Sequence, residues 1–274
     1  MTSLTRGPVT IHEFEELDLK NAMLIEAFPT IGLVSTIAAS YLVSELKLKL
    51  KGTVTAPWLP PVAVVYGGRA LPPVRLYGGE KVCGIDGTCD QVFILMSEFP
   101  VPDAGVFPMA DILLEWAQAH GCRDLVSLEG LPKDAPSKDT EPEKAVASPP
   151  SAVWGIGATE RARAMLKREK VAEMDAGVIT GVSGVLLWLA EQRKVDATCL
   201  LAEAFKEFPD ARAAAALLHV VDQLLKVIDV NLGPLLKQAE ELEHQIKRAV
   251  AAAMDASQSR VAPAGSGPSA GMYY

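Results

Sequence analysis

Cysteine is scarce. Cys83, Cys89, Cys122 and Cys199 are the only four in the 274 residues, too few and too scattered for a disulfide framework. Reduced, mostly buried thiols are expected instead. Long apolar runs are missing too: hydrophobic residues make up 49% of the chain, yet no stretch approaches the roughly 20 uninterrupted apolar residues that cross a bilayer. Met1–Val9 holds one Arg and no apolar run of signal-peptide length. A cytoplasmic protein without a membrane anchor is therefore expected. Positive charge is in deficit, with a net charge of −8 and a pI near 5.1. That balance argues against a nucleic-acid surface, which needs clustered Lys and Arg to displace counterions.

What is present is enough apolar sequence for one large domain or two small ones. Short apolar, β-branched or aromatic runs mark strands at Ala22–Phe28, Gly52–Ala56, Val62–Tyr66, Val74–Tyr77, Gln91–Met96, Asp124–Leu128, Ala152–Ile156, Gly177–Thr180 and Ala197–Ala202. Helical spacing follows the first run over Thr30–Lys51, and recurs over Asp103–His120, Thr159–Glu169 and Ser183–Gln192, with Thr159 a plausible N-cap. Strands apolar on both faces that alternate with helices predict an α/β three-layer sandwich with a largely parallel central sheet. Pro132–Pro150 breaks the rhythm with prolines and charges and predicts a mobile surface loop.

From Asp210 the pattern turns helical. Ala214, Leu217, Val221, Leu224 and Ile228 form one apolar seam, and Leu232, Leu235, Ala239, Leu242, Ile246, Ala249 and Ala253 form another beyond Gly233 and Pro234. Such seams pack either on the domain itself or on another subunit. The expected organisation is thus an α/β domain over 1–256, including a helical pair over 210–256, and a flexible tail over 257–274. The tail's composition of Ala, Gly, Ser and Pro leaves its backbone free, with a reach of about 23 Å.

Several stretches imitate chemistry. TGVSGV (Thr180–Val185) lies where a strand yields to a helix, but the second glycine comes one position too early for a hydrolase nucleophile elbow, so Ser183 is not expected to be catalytic. WGIGAT (Trp154–Thr159) lacks the third glycine of a dinucleotide fingerprint, because Glu160 follows. His12, His120, His219 and His244 are isolated, and Cys83 and Cys89 have five residues between them, so no metal site is expected. Glu13, Glu15 and Glu16 read as a solvated acidic edge strand. No catalytic residue or cofactor is expected.

Three segments together resemble the proteasome assembly chaperone family in its archaeal branch: FPTIGLVSTIAASYLV (Phe28–Val43), VITGVSGVLL (Val178–Leu187) and CLLAEAFKEFPDARAAAALL (Cys199–Leu218), with PPVRLY (Pro72–Tyr77) fitting as well. The resemblance spans roughly Ile11–Leu236. It implies a nucleoside-phosphorylase-like backbone, a homo-oligomer, and contact with proteasome α-subunits. The Pro-rich loop departs from the family pattern. Met272, Tyr273 and Tyr274 close the chain as a hydrophobic residue, a tyrosine and a final residue. This is similar to the ending with which proteasome activators and some archaeal members of the family dock between neighbouring α-subunits. There the terminal carboxylate would pair with a pocket lysine, while Met272 and Tyr273 bury apolar area. The alternatives are an enzyme, phosphorylase-like or an ATP-dependent carboxylate-amine ligase, and a structural oligomer whose tail is inert.

Overall fold

The strands in the middle of the sheet are those that are apolar at consecutive positions. In the computed structural model, MLIEA (Met23–Ala27, β3) and VFILM (Val92–Met96, β10) are buried at all five positions, as strands covered on both faces must be. The structure describes residues 2–225 apart from 21, 81, 84–88, 134–151 and 207–208, together with 234, 235 and 237.

Ten strands make one sheet. Besides β3 and β10, they are Thr2–Arg6 (β1), Val9–Glu13 (β2), Lys49–Thr55 (β4), Val74–Gly78 (β7), Asp124–Lys133 (β11), Val153–Gly157 (β12), Ala172–Glu173 (β13) and Ala197–Phe205 (β14). Their order is β1-β2-β4-β7-β10-β3-β11-β14-β12-β13. Two further hairpins stand apart, Val64–Tyr66 with Arg69–Leu71 (β5 and β6) and Val82–Cys83 with Cys89–Asp90 (β8 and β9). The β5–β6 turn is Gly67-Gly68, both with positive φ, as a tight two-residue hairpin requires.

The expected parallel sheet is confined to the centre. Pairings β10–β3, β3–β11 and β11–β14 are parallel, as is the short β12–β13 contact. The other five, β1–β2, β2–β4, β4–β7, β7–β10 and β12–β14, are antiparallel, so the sheet as a whole is mixed, with antiparallel pairs in the majority. The physical reason lies in the connections. A parallel pair needs a crossover long enough to return the chain to the same end. The β10–β11 link has one in the helix Asp103–Ala119 (α2), whereas β1 and β2 are joined by a two-residue turn at Gly7.

Helices cover both faces. Val34–Glu45 (α1) and Ala211–Leu225 (α5) pack together on one side, with Glu160–Arg168 (α3) beside them on the β12 edge; α2 and Gly181–Arg193 (α4) pack together on the other. The expected three layers are present. One core gathers Ile25, Ile37, Leu42, Ile94, Val126, Leu200, Leu217 and Val221. The other gathers Leu24, Phe93, Leu95, Ile112, Trp116, Leu186 and Leu201. No helix among the described residues is long and apolar enough to cross a membrane.

Most element positions match the sequence pattern, and the exceptions have causes. The helix expected over Thr30–Lys51 begins only at Val34, after a 3-10 turn at Ile31–Leu33 in which Gly32 and Leu33 are left-handed, and it ends at Glu45 before Lys47 turns left-handed and β4 begins. Gly177–Thr180 is not a strand but an irregular segment leading into α4. Pro132 and Lys133 are not loop: they complete β11 opposite Ala204 and Phe205, while 134–150 lies outside the described residues. Glu13 is not on a solvated edge, because β1 covers β2; it is buried, accepting from Trp116 Nε1 at 2.7 Å and Thr2 Oγ1 at 2.8 Å. Leu217, Val221 and Leu224 of the first seam, and Leu235 of the second, pack into their own subunit's core. Ile228, Leu232 and residues 238–256 lie outside the described residues, as does the tail.

Candidate functional site

The parallel centre brings the C-terminal ends of β3, β10, β11 and β14 to one edge of the sheet, the place where open α/β sheets collect ligands and polar chemistry. The segments that resemble the chaperone family meet there. From the first, Thr30 Oγ1 accepts from Gly130 N at 3.2 Å at the end of β11. Gly32, with φ of 64°, comes so close to β14 that a Cβ would stand 2.9 Å from Ala204 Cβ, and Gly32 O accepts from Asp210 N at 2.8 Å. From the third, Asp210 Oδ1 accepts from Arg212 N at 3.1 Å and Ala213 N at 3.0 Å, capping α5. Asp210 therefore ties the start of α5 to the loop that precedes α1.

The second segment lies over the opposite face. Gly181, with φ of 72°, turns the chain into α4, and Ser183 in the first turn donates to Glu26 Oε2 at 3.0 Å. Register places Glu26 of β3 beside Ser127 of β11, and Ser127 beside Cys199 of β14. Alternation puts all three on the α2/α4 face, with Glu129 one step further along β11. Glu26 is 1% exposed and Ser183 is 2% exposed. Glu26 Oε1 and Ser127 Oγ are buried without a hydrogen-bond partner. Such groups cost free energy in an apolar interior.

Electrostatics follow from that geometry. Burial pushes the Glu26 carboxyl up to about 7, against the opposing pull of the Ser183 hydroxyl. Burial also pushes Glu129 up to about 8; Ser183 opposes the rise and the like charge of Glu26 adds to it. Burial, with the two carboxyls nearby, drives the Cys199 thiol well above its ordinary range. None of the ion pairs among the described residues reaches Glu26 or Glu129. A second polar group lies at the same edge on the other face: Arg75 is ion-paired with Glu98 and donates from Nε to Tyr77 Oη at 3.0 Å. Arg75 and Tyr77 belong to the fourth resembling segment.

The stretches that imitate chemistry are placed as structure. Ser183 is enclosed and its hydroxyl is committed to Glu26. Thr159 caps α3 by accepting from Ala162 N at 3.1 Å, and Gly157 lies against the first turn of that helix. His12 bonds Thr55, His120 packs against Trp116, and His219 bonds Gln223; His244 lies outside the described residues. Cys83 and Cys89 are opposite one another across the β8–β9 hairpin. Among the described residues no group of His, Cys, Asp and Glu could hold a metal ion. The docking residues Met272, Tyr273 and Tyr274 lie outside the described residues. Sequence reading missed Glu26, Ser127 and Glu129, although a carboxylate inside an otherwise apolar central strand was a visible signal.

Comparison with known proteins gives a family. Residues 24–250 match the model of the PAC2 family. Protein MJ0106 of Methanocaldococcus jannaschii is 28% identical over 235 residues, covering 86% of this chain and 88% of that one. Among solved structures, Pyrococcus furiosus PbaA, an archaeal homologue of proteasome-assembly chaperone, is 32% identical with a TM-score of 0.73, covering 91% of this chain and 99% of that one. Pyrococcus furiosus PbaB, an archaeal proteasome activator, shares the fold at 23% identity with a TM-score of 0.70, covering 88% of this chain and 98% of that one.

Proposed function

Because the chain belongs to the PAC2 family, alongside archaeal homologues of the proteasome-assembly chaperones, we propose that it is a proteasome assembly chaperone or adaptor that binds the α-ring through its C-terminus. The observation that carries this reading is the pairing of a family match over residues 24–250 with an ending of Met272, Tyr273 and Tyr274. In this reading the terminal carboxylate, the Tyr273 ring and the Met272 side chain enter a pocket between adjacent α-subunits. The 257–274 segment serves as the tether. Docking of one tail orders a free segment and is weak; several tails on one homo-oligomer bind together and regain strength through avidity.

Activity on this reading lies in adhesion and not in bond-making. Its support is the use of Ser183, Thr159 and the described histidines in the protein's own hydrogen bonds. The test mixes purified protein with α-rings and measures complex formation by analytical ultracentrifugation, with and without residues 272–274. Loss of the complex on truncation, with the oligomer unchanged, is expected. Equal binding by the truncated protein overturns the tail as the docking element.

A further inference from the structure

We propose that Glu26, Glu129 and Ser183 form a pH-sensitive fastening that holds the start of α4 against the sheet, docked while the carboxyl pair keeps a proton and loosened when it loses it. Three features of the geometry carry this. Ser183 of α4 reaches into the sheet and donates to Glu26 Oε2 at 3.0 Å, so the carboxyl is a direct link between the two layers. Glu26 Oε1 is buried without a hydrogen-bond partner, so that oxygen would carry part of an ionised carboxyl's charge unsolvated. Glu129 stands one same-face step along β11 from Ser127, the register neighbour of Glu26, and the like charge of Glu26 adds to the rise of its carboxyl.

Among the described residues no ion pair reaches Glu26 or Glu129. β11 contributes Ser127 and Glu129, and β14 contributes the Cys199 thiol. Glu203, four residues beyond Cys199 on the same face of β14, has an interaction of its own. β10 places Leu95 beside Glu26. From α2, Met109, Ile112 and Leu113 enter this core, and Asp111 is ion-paired with Arg193 and Arg6. From α4, Val182 and Leu186 accompany Ser183. Among the described residues the cluster therefore has hydroxyls, a thiol and a second acid around it, and a proton is the charge these can exchange.

The sign follows from the direction of the shifts. Both carboxyls are raised from an ordinary 4.5, Glu26 to about 7 and Glu129 to about 8. Each binds its proton more tightly in the folded protein, for Glu26 on the order of a hundredfold. The stability this contributes is fully present below about pH 4.5 and is lost as the pH rises through about 7 to 8.

The experiment uses the full chain. Glutamate carboxyl carbons labelled with 13C are followed by NMR from pH 4 to pH 9.5, with Glu26→Gln and Glu129→Gln assigning the resonances. Amide protection factors are measured at pH 6 and pH 9. Expected are two carboxyls that titrate above pH 6 and a protection of Val185–Leu187 that falls at least tenfold between the two pH values, while Ile112–Leu114 of α2 changes little. In Glu26→Gln the fall at Val185–Leu187 should shrink. Titration of every glutamate below pH 5.5 overturns the proposal, as does a fall in protection shared equally by α2 and α4. Should Glu26→Gln not fold, Ser183→Ala takes its place: it severs the link, so Val185–Leu187 should be poorly protected at both pH values while a carboxyl still titrates above pH 6. Wild-type protection in Ser183→Ala overturns the fastening.

Discussion

At the scale of single residues, the buried charges divide into those that are compensated and those that are not. Arg75 is 2% exposed and ion-paired with Glu98. Burial works against its charge, but Glu98 and Tyr77 outweigh it, and the guanidinium is held above its ordinary range. Removing one partner leaves the other charge uncompensated. Glu98→Ala should therefore cost about 3–5 kcal/mol, read as a lower urea midpoint. The double variant Arg75→Met with Glu98→Leu should recover most of that loss, because neither charge then has to be desolvated. A double variant as unstable as the single one would show that Arg75 matters through packing. Buried Glu26, with half-buried Glu129 beside it, is the uncompensated kind, since the described groups around it are hydroxyls, a thiol and a second acid.

At the scale of elements, Asp210 joins two helices that are far apart in sequence. Its carboxylate caps α5 through the backbone N–H groups of Arg212 and Ala213, and its own N–H donates to Gly32 O. Asp210→Ala removes the cap and should destabilise the protein by about 1 kcal/mol, whereas Asp210→Asn, which keeps the accepting oxygen, should restore most of it. Thermal unfolding checks both; equal losses would show that charge and not the cap is what matters.

Element positions were legible because the forces behind them are local. The apolar runs of β3 and β10 and the seam Ala214, Leu217, Val221 and Leu224 state which surfaces must be covered. Strand direction was not legible, because burial on two faces looks alike in parallel and antiparallel strands. Direction is settled by how far the chain must travel between them. The carboxyl cluster was hidden for a similar reason: Glu26 and Glu129 are far apart in sequence, and only the register of β3 against β11 makes them neighbours.

For the whole molecule, the proposed docking raises the question of how a weak terminal contact would become a stable association. Leu235 is packed into the core shared by α1 and α5, so the chain is held to the domain at that point. On the proposed reading, a flexible tether of 18 residues would reach about 23 Å, on the order of 5–6 Å × √n, and set the volume its end can search. Linking several such ends raises affinity by roughly 10² to 10⁴ over one end alone, provided the pockets can be reached together. Oligomers assembled from mixtures of intact chains and chains lacking residues 272–274 separate this from independent docking. With half the tails removed, affinity for α-rings should fall by about tenfold or more. A fall of only twofold would mean that each tail acts alone, and that the multiplicity of the oligomer adds nothing to its hold on the ring.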